Sequence, residues 1–309
     1  MITLGDIVLA RYKLSRYLQP TPLEAAPGLG ENVWLKLENA NKTHSFKVRG
    51  ALNALLSLPD ARGIITASSG NHAQGVAYAA HLLGVPAQIV MPAHTARRKV
   101  DGVRRWGSPT IIFTEDYDAA EQTAIARAQT GDVTYISPYN HPHVVAGQGT
   151  IALEMLEAQP DIARAIVPVG GGGLISGIAL ALKALRPSIE VIGVNAAVSP
   201  DMYNFFYGEQ RPLSHETLAD ALPGAIEPGS VTFAFTRRYV DRIVLVDEAA
   251  IAAAMRWSLA EAGWLAEGGG VVGVAALQSG QIEPLAHGAT VVIISGGNVD
   301  VDKVKMVLA

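Results

Sequence analysis

The chain has no cysteine. That excludes a disulfide framework and removes any thiol as nucleophile or metal ligand. Such a composition suits a reducing, cytoplasmic setting. No apolar run approaches the roughly 18–20 residues that a bilayer-spanning helix needs, so no membrane partner is expected. The opening stretch, MITLGDIVLARYKLSRYL, lacks the apolar core and cleavage site of a signal peptide. Positive charge is also scarce. A net charge of −4 and a pI near 6.1 exclude the basic surface that nucleic-acid binding requires. One basic cluster, Arg97, Arg98 and Lys99 with Arg104 and Arg105, reads as a solvated helix face. What the chain does have is apolar substance. Of its 309 residues 49% are hydrophobic, enough to bury a large core and to suggest about two domains.

Strand-like and helix-like segments alternate. ARGIITASSG, VPAQIVMP, PTIIFTE and VTYISPY read as strands, separated by helical stretches such as NHAQGVAYAAHLLG and DYDAAEQTAIARAQTG. The pattern resumes with a helix in QGTIALEMLEAQP, then ARAIVPVG, GGLISGIALALKALRP, IEVIGVNA, DRIVLVD, EAAIAAAMRWSLAEAG and ATVVIISGG. Nearly all-apolar strands between helices predict an α/β fold with parallel sheets covered on both faces. Residues 199–235 are less regular, and the short stretch after Ser295 leaves no room for an appended regulatory domain. Ligands of such sheets bind outside the carboxyl ends of the strands. Three small, glycine-containing loops fall there: SSGNH (68–72), GGGGL (170–174) and SGGN (295–298).

The four glycines of VPVGGGGLISG lie between a strand and a helix start, where backbone N–H groups converge on an anion such as a phosphate. No Gly-Lys-Ser/Thr follows, so this is not a P-loop. GGGVVG (268–273) has the spacing G-x-G-x-x-G, but it follows a helix, and no acidic residue about 20 positions on awaits a ribose. Close backbone packing is the better reading. TASSGNHAQG (66–75) sets hydroxyls, an amide and N–H groups at another helix start, a setting for a carboxylate. His72 there reads as a base or as a helix-terminus residue. His141 and His143 flank Pro142 and read as a surface loop rather than a metal pair. In NKTHSFKVRGA two lysines compete. Lys47, between Phe46 and Val48, is a candidate for burial, which lowers an amine's pKa and favours Schiff-base chemistry. Lys42 sits in a polar loop.

Taken together, TPL (21–23), LKLEN (35–39), SFKVRGA (45–51), SSGNHAQG (68–75), AGQGTIALE (146–154), GGGGLISG (170–177) and SGGNVD (295–300) resemble the fold-type II pyridoxal-phosphate enzymes, in their serine/threonine dehydratase and serine racemase branch. The resemblance runs almost the whole chain. It implies two open, twisted, mostly parallel sheets flanked by helices. A large cofactor-binding domain (1–50 and 142–309) and a small mobile one (51–141) would share the chain, and a homodimer is expected. It also implies that Lys47 joins the aldehyde of pyridoxal 5'-phosphate as a Schiff base and that Lys42 faces solvent. Phe46 would pack near the ring, and Asn71 would hydrogen-bond its phenolic oxygen. Gly170, Gly171, Gly172, Gly173 and Leu174 would hold the phosphate, and Ser295 would partner the ring nitrogen. Ser68, Ser69 and His72 fall in the loop resembling the site of the substrate carboxylate, and Ser69 could serve as acid/base on the face opposite Lys47.

The activity implied is an ammonia-lyase (dehydratase). It would convert L-threonine or L-serine to a 2-oxo acid and ammonia by removal of the Cα proton and β-elimination. Ser295, uncharged, would leave the ring nitrogen neutral and favour elimination over transamination. An amino-acid racemase on the same scaffold is the alternative; a nucleotide-binding oxidoreductase built on residues 268–273 is more remote. Three departures stand out. His44 replaces the usual glycine before SFK, and LAEGGG (265–270) keeps only Glu267 of its motif. Asn195 stands where metal-dependent members carry glutamate, although Asp201 keeps the matching spacing, so no metal is expected.

Overall fold

The computed structural model describes residues 2–58, 62–107, 109–214 and 216–309. The chain opens with α1 (Leu4–Leu14), β1 (Leu23–Ala25), β2 (Val33–Leu37) and α2 (Lys47–Leu55). It continues through β3 (Ile64–Ala67), α3 (Asn71–Leu83), β4 (Ala87–Pro92), α4 (Arg97–Arg104), β5 (Thr110–Thr114), α5 (Tyr117–Gln129) and β6 (Thr134–Tyr135). Then follow α6 (Pro142–Ala158), β7 (Ile162–Pro168), α7 (Gly173–Leu185), β8 (Glu190–Ala196), α8 (Asp201–Tyr207) and α9 (Val231–Tyr239). The last elements are β9 (Arg242–Val246), α10 (Glu248–Ala260), α11 (Gly268–Gln278), β10 (Ala289–Ile294) and α12 (Val301–Leu308).

The strands form two sheets. One has the order β1-β2-β10-β7-β8-β9, the other β5-β4-β3-β6. Every pairing is parallel except β1 with β2. This is the expected α/β architecture. Parallel strands are buried on both faces, and β10 and β3 accordingly have no exposed residue. The larger sheet carries one core against α1, α6 and α7 and a second against α10 and α11. The smaller sheet packs mainly on α2, α3 and α5. Because β10 pairs with β7, the loop after Ile294 lies beside the loop after Pro168. The site is built from that adjacency.

Three details differ from the sequence reading. Helix α6 starts at Pro142 rather than near Gln148, with His141 as N-cap and proline in its first turn, where the missing N–H costs nothing. The irregular stretch 199–235 contains α8 and part of α9. The basic cluster on α4 is only partly a solvated face. Arg98 reaches the Val299 carbonyl and lies 3.2 Å from Asp300, and Lys99 lies 3.4 Å from Asp220. These contacts tie α4 to the end of the chain and to the loop before α9.

The motifs that do not reach the strand-end loops meet in the interior. Arg49 binds Glu38 at 2.7 Å and Glu154 at 2.6 Å, and Lys36 binds Glu154 at 2.6 Å. The Thr21 hydroxyl donates to Glu38 at 2.6 Å. All five residues are buried. Burial works against the Arg49 charge, but the Glu38 and Glu154 carboxylates more than offset it, so its pKa rises. TPL, LKLEN, SFKVRGA and AGQGTIALE thus converge on one saturated ionic network.

Candidate active site

Lys47 is the first residue of α2. Its side chain is half-buried, and its amine donates to the Pro138 carbonyl at 2.8 Å. No carboxylate lies within ion-pair distance of it among the described residues. Desolvation pulls its pKa from 10.5 to about 8, opposed only by the more distant charge of Glu267. Near neutral pH such an amine is within reach of its nucleophilic form. Its Nζ also lies 5.1 Å from the centroid of the Phe46 ring. Lys42 is exposed.

Next to Pro138, the Tyr139 ring packs on the glycine loop. A Cβ added at Gly171 would fall 2.5 Å from that ring, and Gly172 has φ +83°, a left-handed conformation suited to glycine. Gly172 is the N-cap of α7 and supplies no side-chain cap. The first N–H groups of an α-helix have no intrahelical acceptor. Those of Gly173 and Leu174 are therefore left open at the glycine loop, next to Tyr139, whose neighbour Pro138 accepts from the Lys47 amine. Gly170 completes the loop at the end of β7.

Ser295 follows β10 and is buried. Its carbonyl accepts from the Phe46 N–H at 3.1 Å, and Ser45 bridges to Gly296. The lysine segment is thereby stitched to the SGGN loop. The Ser295 hydroxyl makes only a long contact, 3.5 Å to the Gly269 carbonyl, and remains available to a ligand. His44, just before this segment, is the one non-glycine residue of positive φ (+55°) among the described residues. Its N–H donates to the Asn41 carbonyl at 2.8 Å and its carbonyl accepts from Gly297 at 2.9 Å.

At the start of α3, the Ser68 hydroxyl accepts from the N–H groups of Gly70 and Ala73, leaving those of Asn71 and His72 open. Ser69 is half-exposed and makes no side-chain hydrogen bond among the described residues. The His72 ring is buried, with Nε2 at 3.1 Å from the Ile136 carbonyl. Burial, aided by Lys47, pushes its pKa down to about 3. The ring is neutral, so the residue acts as a helix terminus rather than a cationic anchor. Asn71 donates to Glu267 at 2.6 Å and accepts from Asn298 at 2.7 Å. Glu267 is buried, and that burial raises its pKa to about 7.

In the sequence Glu267 stands only as the remnant of a motif, and Pro138, Tyr139 and Asn298 carry no signal beyond their place in strand-end loops. Residues 268–273 form the first turns of α11, where Gly270 packs on the Gly296 carbonyl; this is close backbone packing, not a nucleotide fingerprint. Asn195 donates to the Val169 carbonyl at 2.7 Å and accepts from the Tyr203 N–H, so both ends of its amide tie α8 to the sheet. Asp201 lies in the first turn of α8. Among the described residues no group of three metal-ligating side chains comes together, and no helix is long and apolar enough to cross a membrane.

A lysine kept near neutrality beside an uncapped helix start is the working pair of enzymes that use pyridoxal phosphate. The chain belongs to that family, the pyridoxal-phosphate dependent enzymes, whose description it matches over residues 14–297. It is 40% identical to an L-threonine ammonia-lyase of Thermotoga maritima, an alignment covering 100% of this chain and 78% of the relative. Its fold is similar to that of maize serine racemase (TM-score 0.91, 33% identity, 99% of this chain and 96% of the other). The processed form of threonine deaminase isoform 2 from Solanum lycopersicum is also similar (TM-score 0.89, 34% identity, 99% and 87%). The chain is thus a fold-type II pyridoxal-phosphate enzyme of the ammonia-lyase and racemase branch. The residues fit the cofactor: the uncapped start of α7 suits its phosphate, the weakly held hydroxyl of Ser295 its ring nitrogen, and the Lys47 amine its aldehyde.

Proposed function

We propose that the enzyme is an L-threonine or L-serine ammonia-lyase whose chemistry centres on Lys47. The observation that carries this reading is the Lys47 amine, lowered to about 8 and bonded only to a backbone carbonyl. Bound pyridoxal phosphate would supply an aldehyde for Schiff-base formation and an electron sink for charge developing at Cα. The loop of Gly170, Gly171, Gly172, Gly173 and Leu174, at the start of α7, would hold the phosphate through its N–H groups. Ser295 would donate its hydroxyl to the ring nitrogen without adding a charge, and Phe46 would back the ring.

The substrate carboxylate rests at the start of α3, on the open N–H groups of Asn71 and His72 and on Ser69, with Ser68 fixing the turn. The Lys47 amine would take the Cα proton on its own face of the substrate, a general-base role worth about 10²–10⁴-fold. The β-hydroxyl would leave with a proton as water, and hydrolysis of the released enamine by a second water would give the 2-oxo acid and ammonia. The 51–141 segment, carrying the smaller sheet, is the unit that closes over the substrate, and the enzyme works as a cytoplasmic homodimer without a metal.

A second activity has one specific support. The uncommitted hydroxyl of Ser69 could return a proton to Cα from the other face, giving slow racemisation. A panel of L-threonine, L-serine, D-serine and 3-hydroxyaspartate, assayed for both 2-oxo acid and enantiomer, tests the reading. Mainly 2-oxo acid from the L-substrates is expected. D-serine formation outpacing pyruvate from L-serine would replace the lyase with a racemase.

A further inference from the structure

We propose that Glu267 is a positioning residue of this site: its carboxylate clamps the Asn71 amide so that one N–H of Asn71 faces the cofactor ring, and its negative charge acts on Lys47. The inference rests on the function proposed above and deepens it. Two bonds fix the Asn71 amide and a third fixes its partner Asn298. Asn298 Nδ2 donates to Asn71 Oδ1 at 2.7 Å, and also to the Thr43 carbonyl at 2.8 Å. Asn71 Nδ2 donates to Glu267 Oε1 at 2.6 Å. A donor on one end and an acceptor on the other allow a single orientation of the amide.

One of the two Nδ2 hydrogens is used on Glu267. The second has no acceptor among the described residues, so Asn71 can offer a donor to a ligand. That suits an anionic oxygen such as the phenolic oxygen of pyridoxal phosphate. Glu267 is itself pinned: its N–H donates to the Gly296 carbonyl at 3.0 Å.

The charge of Glu267 is felt at Lys47, where it works against the lowering by burial. The groups facing Glu267 come from several elements. Asp220, from the loop before α9, raises its pKa; Lys99 of α4 and Lys303 of α12 lower it, as does the Asn71 hydrogen bond. Asp220 lies 3.4 Å from Lys99 and 3.1 Å from Lys303, so much of that outer charge is internally paired. Lys47 of α2 feels the charge of Glu267 in turn.

Two substitutions separate the clamp from the charge. Glu267→Gln keeps an acceptor for Asn71 but removes the charge; Glu267→Asp keeps the charge but is one methylene too short to hold the amide. The readouts are competitive acylation of Lys47 across pH in the cofactor-free protein, followed by mass spectrometry, and pyridoxal phosphate affinity by absorbance titration. Glu267→Gln should move the Lys47 midpoint to lower pH. Glu267→Asp should leave the midpoint near its parent value and weaken cofactor affinity about tenfold or more. In an Asn71→Ala background, Glu267→Asp should weaken affinity no further.

A Lys47 midpoint unmoved by Glu267→Gln, or an affinity loss by Glu267→Asp that persists in the Asn71→Ala background, would overturn the proposal. If the Glu267 variants fail to fold, Asn298→Ala frees the other end of the amide and should weaken affinity severalfold; unchanged affinity there would also overturn it. A parent chain that takes up no pyridoxal phosphate would defeat the functional reading, while the acylation arm would still test the effect of Glu267 on Lys47.

Discussion

Lys47 and Arg49 are two residues apart on one helix, and they enter opposite electrostatic worlds. Arg49 is surrounded by Glu38, Glu154 and Thr21 and stays charged. Lys47 meets a backbone carbonyl and no neighbouring carboxylate, and its charge becomes costly. Lys36 completes the contrast. It is more deeply buried than Lys47 and burial lowers its pKa, but Glu38 and Glu154 work against that lowering. Burial alone therefore does not make a reactive lysine. Burial with a carboxylate makes a structural ion pair; burial without one makes an amine ready for carbonyl chemistry.

The largest expected effect is on the Lys47 side. Lys47→Ala should reduce elimination by at least about 10³-fold, since both covalent attachment and the base are lost, and should not lower the melting temperature. A residual rate within tenfold of the parent would remove Lys47 from the chemistry. On the other side, Arg49→Met leaves Glu38 and Glu154 without their main partner. It should cost about 3–5 kcal/mol in denaturant unfolding, the usual penalty for breaking a buried pair. A cost near zero would mean the network is not structural.

Ser295→Asp comes next. A carboxylate there should protonate the ring nitrogen, slow elimination about tenfold and raise abortive side reactions; unchanged or faster elimination would contradict the role given to Ser295. Ser69→Ala should keep L-serine elimination within about tenfold while abolishing D-serine formation, because the elimination path uses only the Lys47 face.

The pH dependence of the cofactor-free protein is a gentler test. The folded pKa of Lys47 is depressed to about 8 from 10.5. Between those values the unfolded chain holds more protons, so stability rises with pH across that window and is lowest below it. Replacing Lys47 by Met should flatten the rise that begins near pH 8; an identical profile would place the amine in an ordinary environment. The smallest effect is expected from chelation. Asn195 spends both ends of its amide on the backbone, so a chelator should leave activity and melting temperature unchanged; a loss restored by Mg²⁺ would refute this.

The loops are legible in the sequence and the network is invisible there. Strand-end glycines, the uncapped start of α7 and the Phe46-Lys47 pair announce themselves locally, because a tight turn or a helix start needs particular residues at particular places. The ionic network does not. Its outermost members, Thr21 and Glu154, stand 133 positions apart. Like Lys36, Glu38 and Arg49 between them, each looks like an ordinary polar residue until the sheet order brings them together. The bond between Glu267 and Asn71, 196 residues apart, escapes notice for the same reason, although each residue stands out in its own motif. The basic residues of α4 read as solvated because their partners, Asp220 and Asp300, lie far along the chain. Periodicity reports the face of a helix, not what docks on it.

The proposed function makes Lys47, not Lys42 or Lys36, the working amine. Borohydride reduction of the enzyme loaded with pyridoxal phosphate, followed by peptide mass spectrometry, puts this to the test. A yellow protein is expected, with the pyridoxyl mass fixed on a peptide at Lys47 and with Lys36 and Lys42 unmodified. Fixation at Lys42 or Lys36, or a colourless protein that fixes no cofactor, would contradict it.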